Sequence, residues 1–359
     1  GKTEPLVTNG ATDEVHLHRP ILAPGTQRIV MPHPSCCRTV ILIAAALSQS
    51  ACYYVQAARG QYDVLQRAEP IDEVLAAEST PDELARRLEL VQEARQFAVD
   101  ELLLPDNDSY RRYADLERDY VVWNVFAAPE FSLEPRTWCF PVAGCVAYRG
   151  YFDEADARRK AAQLRDDGFD VAVGGIPAYS TLGRFGDPVL NTMLHWQDTD
   201  LVATLFHELA HQVLYVKDDT AFNESFATAV ADIGLERWLL NQGERDDFEA
   251  YLERRRVREQ FVAIIREARS DLETLYASGA NEVSMRQQQG HRLQQLADAL
   301  RAELAASGQE APGWLGGELN NARLASIGLY ELDLARFRAL YEECGRNLEY
   351  FYRRAGELQ

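Results

Sequence analysis

The chain has 359 residues, of which 47% are hydrophobic and 26% charged, a balance that is ordinary for a globular protein and excludes wholesale disorder. Its 56 acidic and 37 basic side chains give a formal net charge of −19. Because no cluster of lysines and arginines stands out, the composition argues against nucleic acid as a partner.

The N-terminal part divides into an extension and a signal-like segment. Residues 1–30 are polar, show no clear hydrophobic period and are expected to be an unstructured upstream extension. Residues 31–51 run from a methionine through a basic stretch and a short apolar run to small residues, which is the layout of a secretory signal peptide. The apolar run is too short to span a bilayer as a helix. The segment therefore predicts export of the chain.

The end of this segment resembles a bacterial lipobox, in which Cys52 becomes the lipidated first residue of the mature chain. We expect a lipid anchor on Cys52 that attaches a soluble domain to a membrane. The next residue, Tyr53, favours the outer membrane, so the predicted location is the periplasmic face of a bacterial membrane. A short buried helix is the alternative interpretation of the apolar run.

Three further cysteines, Cys139, Cys145 and Cys344, lie beyond this segment. An exported domain permits a disulfide between Cys139 and Cys145, which would close a small loop. One thiol stays free in either case, and buried free cysteines are the favoured interpretation. No CxxC spacing predicts a zinc site made of thiolates.

Helical and strand-like segments alternate in the first half of the remaining chain. The helical segments have apolar residues at three- and four-residue steps or are rich in alanine and charge, and they cover residues 81–104, 108–118 and 153–167. The strand-like segments are rich in β-branched and aromatic residues, and they cover residues 120–128, 137–148 and 170–173.

From residue 198 onward the sequence is typical of a nearly all-helical structure. The charged segments 244–277 and 283–306 predict a long antiparallel helical hairpin with a solvated outer face. Three shorter helices are predicted at residues 321–330, 332–343 and 348–358. No repeat or linker marks a boundary, so we expect one predominantly helical α+β domain over residues 52–359, with a small β-sheet.

An HExxH motif, His207-Glu208-Leu209-Ala210-His211, lies in an apolar segment that predicts a helix through residue 216. Residues four apart share one helix face, so His207 and His211 can bind the same metal ion. Glu208 points to the side of that face, where it can act as the base for a water molecule that zinc activates. Two histidines that are satisfied by core hydrogen bonds are the alternative.

A second helix is predicted after a break at residues 217–220, and it carries Glu224 within the sequence FNESFA. A catalytic zinc ion usually has three protein ligands and one open position, so Glu224 is the predicted third ligand. Asp218 and Asp219 are expected to be turn and cap residues. Asp232 is expected either to orient a ligand histidine or to pair with Arg237.

HELAHQ and FNESFA together resemble the motifs of gluzincin metallopeptidases, with a shorter segment between them than in the thermolysin-like members. Over residues 52–359, and including the lipobox-like cysteine, the sequence closely resembles the bacterial putative aminopeptidase lipoproteins. The resemblance implies a zincin-like metallopeptidase domain that binds Zn²⁺ through His207, His211 and Glu224 and uses Glu208 as base. It also implies a peptide substrate.

Other residues are weaker candidates for roles around the site. An oxyanion donor is expected in a peptidase, and Tyr330 is our candidate, with Tyr179 as a second one. The segment 174–183 offers either an edge strand for an extended peptide or an ordinary turn. His195 is expected to lie near the ligands or on the surface. Asn320 and Asn321 are expected to cap a helix rather than line a cleft.

Together these patterns predict a lipid-anchored zinc metallopeptidase, with aminopeptidase activity implied by the resemblance. One alternative is a zinc amide hydrolase that acts on cell-wall peptides. A catalytically inactive scaffold of the same fold is the other, and an intact Glu208 argues against it because a scaffold needs no general base.

Overall fold

The computed structural model describes residues 53–140, 144–178, 180–181, 183–308, 313–316, 319–328 and 334–358. Within these residues helices dominate and short strands form small sheets, which confirms the expected predominantly helical α+β class. Residues 1–30, residues 31–51 and Cys52 lie outside the described residues, so the extension, the signal peptide and the lipidation stay predictions. Among the described residues, no helix has both the length and the apolar character that crossing a membrane requires.

The N-terminal half mixes helices with short strands. Its helices are α1 (residues 53–67), α2 (Ile71–Ala76), α3 (Asp82–Asp100) and α4 (Glu154–Asp166). Its strands are β1 (Ala68–Pro70), β2 (Arg112–Ala114), β3 (Val122–Pro129), β4 (Trp138–Phe140), β5 (Gly144–Val146), β6 (Arg149–Tyr151), β7 (Phe169–Ile176) and β8 (Val189–Leu190).

The C-terminal half is helical in all its longer elements. These are α5 (Asp198–Ala210), α6 (Thr220–Gln242), α7 (Arg245–Tyr276), α8 (Glu282–Ser307), α9 (Asn321–Gly328), α10 (Leu334–Glu343) and α11 (Leu348–Gly356). Single 3₁₀ turns cover Asn191–Met193 and Gly313–Gly316. The pair of α7 and α8 confirms the predicted long hairpin, and Asn281 caps the start of α8 by accepting a hydrogen bond from the Ser284 amide at 3.0 Å.

β3 is the central strand of a sheet with the order β6-β3-β7, in which all pairs are antiparallel. Successive strand residues point to opposite faces, and the two faces are covered by different helices. α4 packs on the face that bears Val125 and Ala127, whereas α9 packs through Ala322 on the face that bears Phe126 and Ala128. The sheet is therefore a middle layer between α4 and α9.

β7 is longer than the sequence predicts. Gly174 and Gly175 continue the strand opposite Asn124 and Trp123, instead of ending it. A Cβ atom at Gly175 would lie 2.4 Å from the Tyr120 ring, so the glycine allows this ring to pack directly on the backbone. Gly175 thus serves close packing, and both glycines belong to a strand rather than a turn.

The predicted helix over residues 108–118 is wrong. This segment forms turns and the strand β2, which pairs antiparallel with β1 and parallel with β8. Tyr110 and Glu117 have φ angles of 61° and 53°, which no right-handed helix contains. The Tyr110 amide donates to the Asp187 carbonyl at 2.6 Å, so a distant loop supplies the hydrogen bond that the local helix would have made.

The main core holds α5 and α6 together with α3, α10 and α11. Phe206 of α5 is fully buried and packs against Phe97 of α3, with ring centroids 6.2 Å apart. Phe226 of α6 is also fully buried, and its ring centroid lies 5.9 Å from that of Phe337 in α10 and 6.0 Å from that of Phe351 in α11. Burial of these rings fixes the rotation of α5 and α6 about their axes.

Candidate metal centre

The HExxH residues lie at the C-terminal end of α5. His207 and Glu208 are in its last turn, and His211 follows directly after its last residue, with its amide still bonded to the His207 carbonyl at 3.3 Å. Because buried Phe206 fixes the rotation of the helix, both imidazoles project to the same side. Their Nε2 atoms are 3.0 Å apart, and their ring centroids are 4.7 Å apart.

Glu224, in the second turn of α6, faces the same point. Its Oε2 atom lies 3.3 Å from His207 Nε2 and its Oε1 atom lies 3.6 Å from His211 Nε2. One ligand atom from each residue lies within 4.8 Å of the other two. The structure thus brings the three predicted ligands together from two successive helices.

The chain between the two helices is a loop rather than a continuation of α5. The predicted helix through residue 216 is wrong in this part, since α5 ends at Ala210. Asn223 of α6 holds the loop by two hydrogen bonds. Its Oδ1 atom accepts from the Val216 amide and its Nδ2 atom donates to the Val216 carbonyl, both at 2.7 Å. This pair of bonds satisfies backbone groups that a helix would otherwise satisfy.

The two aspartates of this loop have the predicted structural roles. Asp219 caps α6 by accepting from the Phe222 amide at 3.0 Å. Asp218 lies in the turn with a φ angle of 66°, and its Oδ1 atom accepts from the Cys145 amide at 3.1 Å. The loop that joins the ligand helices is therefore also attached to the hairpin of β4 and β5.

That hairpin carries a disulfide between Cys139 and Cys145, so the favoured interpretation of these cysteines as free thiols is wrong. Antiparallel pairing of β4 with β5 places the two residues directly opposite each other, a relation that sequence spacing alone leaves open. Cys344 is a buried free cysteine, as expected.

Asp232 takes neither of its two predicted roles. Its carboxylate is buried and bonds to Tyr251 Oη at 2.9 Å, to Arg338 at 3.0 Å and to Arg255. The partner of His207 Nδ1 is instead Thr228 Oγ1, at 3.4 Å. In the tautomer that leaves Nε2 free for a metal ion, Nδ1–H donates to this hydroxyl.

Burial and neighbouring charges set the protonation of the histidines. Burial lowers the pKa of His211 to about 4, and the positive charge of His207 adds to this shift. Burial also opposes protonation of His207, but the hydrogen bond to Glu224 and the negative charges of Glu208, Glu224 and Asp232 together outweigh burial and raise the pKa of His207. Burial likewise works against ionisation of Glu224, but the hydrogen bond with His207 and the charges of His207 and His211 together outweigh burial and lower the pKa of Glu224. A neutral imidazole and a carboxylate are the forms that bind metal ions.

Glu208 lies beside the three predicted ligands and is not part of the group whose ligand atoms converge. Burial raises the pKa of its carboxyl to about 7, and the charges of Glu224 and Asp187 add to the effect while His207 opposes it. A carboxyl group with a pKa near neutrality can both accept and return a proton. This arrangement gives Glu208 the properties of a general base.

Asp187 belongs to a loop whose position sequence reasoning missed. Its buried carboxylate accepts from the Thr181 amide at 2.8 Å, from Thr181 Oγ1 at 2.6 Å and from Ser180 Oγ at 3.2 Å. Gln212, directly after the HExxH motif, accepts from Asn107 Nδ2 at 2.6 Å. The position of Gln212 beside the motif is a sequence signal, whereas nothing in the sequence links Asp187 to it.

The remaining candidates lie apart from the ligands or outside the described residues. Tyr330 and Tyr179 lie outside the described residues, so their assignment stays a prediction. His195 is exposed and packs edge-on against Trp196. Asn320 caps α9, as expected, by accepting from the Arg323 amide at 3.0 Å.

Tyr215 is a tyrosine that sequence reasoning missed. It lies in the loop between the two ligand helices and is 42% exposed. Burial raises the pKa of its phenol, and the charges of Glu224 and Asp218 raise it further. Its location just beyond HELAHQ is the signal that could have identified it.

Two nitrogens and one carboxylate from adjacent helices, with a buried glutamate beside them, form a donor set that fits a catalytic zinc ion and leaves a fourth position open. Residues 52–359 match the family described as "Putative aminopeptidase", and the chain belongs to this family. No curated protein and no solved structure matches the chain.

The raised pKa of Glu208 predicts a pH effect on stability. The folded chain holds this proton more tightly than the unfolded chain, whose carboxyl has the ordinary value near 4.5, so stability falls as pH rises from about 4.5 to 7. Between pH 5 and pH 8, metal-free wild-type protein should lose about 2 kcal/mol more unfolding free energy than the Glu208→Gln variant. Urea unfolding at both pH values measures it, with exposed Glu253→Gln as control. Equal losses in wild type and Glu208→Gln would contradict the burial of this charge.

Proposed function

We propose that this protein is a zinc-dependent metallopeptidase that acts as an aminopeptidase. The observation that carries the proposal is the convergence of His207, His211 and Glu224, whose ligand atoms lie within 4.8 Å of one another. Membership of the family supports peptide-bond hydrolysis as the reaction. A zincin-like arrangement, with a zinc-binding helix followed by a helix that carries the third ligand, agrees with this function.

Zinc bound to these three residues would acidify a water molecule and polarise the carbonyl group of the substrate. Glu208 accepts a proton from the attacking water and returns it to the leaving amine as the peptide bond breaks. Its burial suits both steps, because burial holds its pKa near 7. Thr228 fixes the His207 ring through Nδ1 and so keeps Nε2 directed at the ligand point.

Four variants test this assignment. Glu208→Gln should keep about one zinc per chain and lose about 10³-fold in peptide hydrolysis, because it removes the base and no ligand. His211→Ala and Glu224→Gln should lose both zinc and activity, whereas exposed Glu253→Gln should keep both. Elemental analysis and a peptide-library assay with and without a chelator provide the measurements. Hydrolysis by Glu208→Gln at the wild-type rate would refute the mechanism.

We also propose that Tyr215 donates a hydrogen bond to the oxyanion that forms as water attacks the carbonyl. Its partly exposed phenol belongs to the loop between the two candidate ligand helices, and burial together with the charge of Glu224 raises its pKa. Tyr330 is the competing candidate from the sequence.

Tyr215→Phe should lower kcat by about 100-fold with little change in KM, because this bond forms only in the transition state. Steady-state kinetics should be compared for Tyr215→Phe, Tyr330→Phe and, as control, Tyr350→Phe in α11. A large loss in Tyr330→Phe alone would move the role to that residue.

We further propose that the protein is exported and held at the periplasmic face of the membrane by lipid on Cys52. The disulfide between Cys139 and Cys145 supports an oxidising compartment. Mass spectrometry of the mature protein from a bacterial host should find an acylated Cys52 as the first residue. Cys52→Ala should give a chain that no longer partitions with membranes. A mature chain that retains residues 31–51 would exclude this processing.

A further inference from the structure

A cavity of about 350 Å³ lies outside the metal centre, where α4 and α9 meet the outer edge of β7. Val171, Ala172 and Val173 of β7 line it. Among the described residues, its charged lining consists of Arg158, Arg165 and Arg323, and no carboxylate lines it. Arg158 is paired with Glu154 of α4, to which its Nε donates at 2.7 Å. In a chain with a net charge of −19, a cavity whose charged lining residues are all arginines indicates an anionic ligand.

The edge of β7 in this cavity is closed to a further strand. The Val171 carbonyl accepts from Asn320 Nδ2 at 3.2 Å, and the Val173 carbonyl accepts from Arg323 Nη2 at 2.9 Å. Side chains of α9 thus use the carbonyl groups that an added β-strand would need. An extended peptide therefore cannot pair with β7 at Val171 and Val173, although segment 174–183 was predicted as a possible edge strand. A ligand here must bind through a compact terminal group.

Arg323 has the unused hydrogen-bonding capacity that such a group requires. It is partly buried, its guanidinium lies 5.8 Å from the centre of the Trp314 ring, and it forms no ion pair with a described residue. Burial alone lowers its pKa. A guanidinium has five N–H donors in a planar fork, and the bond to Val173 occupies one of them. The others suit a two-pronged bond to a carboxylate.

We propose that this cavity binds the C-terminal carboxylate of a peptide, with Arg323 as its main partner. Arg165 adds positive charge from α4, and Trp314 supplies an apolar wall for the last side chain of the peptide. The choice of a peptide as ligand rests on the proposed function. The proposed substrates are therefore peptides with a free carboxyl end.

Binding to Glu208→Gln protein tests the inference without hydrolysis. Calorimetric titration with pentaalanine should give a Kd about tenfold lower for the free acid than for the C-terminal carboxamide, because only the acid forms charged hydrogen bonds. Adding Arg323→Gln should abolish this difference, and Arg165→Gln should reduce it about threefold. Arg301→Gln, an exposed arginine on α8 that does not line the cavity, should leave it unchanged.

Two further measurements keep the result interpretable. Arg323→Lys keeps the charge and should retain part of the preference, and thermal unfolding should show that each variant folds. Acetate and inorganic phosphate, at the concentration of the peptide, should not displace it; displacement would show a general anion site and overturn the inference. Equal binding of acid and amide would also overturn it.

The outcomes separate this inference from the proposed function. Wild-type protein that hydrolyses peptides but binds acid and amide equally keeps the proposed function and excludes the carboxylate site. A preference for the acid that depends on Arg323, in a protein without hydrolytic activity, keeps the site and excludes the peptidase.

Discussion

The site depends on the packing of α5 against α6 and on the loop that reverses the chain between them. Phe206 and Phe226 are buried beside the ligand residues, so the core determines which way each helix is turned. Asn223, the residue directly before Glu224, then holds the loop by hydrogen bonds to both backbone groups of Val216. Because rigid elements carry the three ligands, their positions depend little on flexible side chains.

Burial gives the same group of residues its chemistry. Four ionisable side chains share a small, partly desolvated space, and each protonation state follows from its neighbours rather than from its ordinary pKa. His211 is held neutral, Glu224 is held ionised and Glu208 is poised near neutrality. A metal ion bound by the two imidazoles and Glu224 would offset the cost of burying this group of polar side chains.

Loops and a disulfide hairpin connect this centre to the rest of the molecule. Asp218 links the loop between the ligand helices to the Cys139–Cys145 hairpin, and Gln212 links it to the loop at Asn107. The sheet of β6, β3 and β7 contributes a second chemical feature, a cavity with arginines at the β7 edge. A metal centre and a carboxylate site on one fold would define both the bond that is cut and the end of the peptide that is recognised.

The sequence by itself determined the helices of the second half and indicated the candidate ligands His207 and His211, because helical periodicity and the HExxH spacing are local properties. It also indicated Glu224, since a motif on the next helix completes a familiar ligand set. Only the tertiary structure decided the strand at residues 112–114, the disulfide, and the partners of Asp232 and Asp187. Each of these depends on contacts between residues far apart in the chain, whose energies outweigh local preference and leave no periodic trace in the sequence.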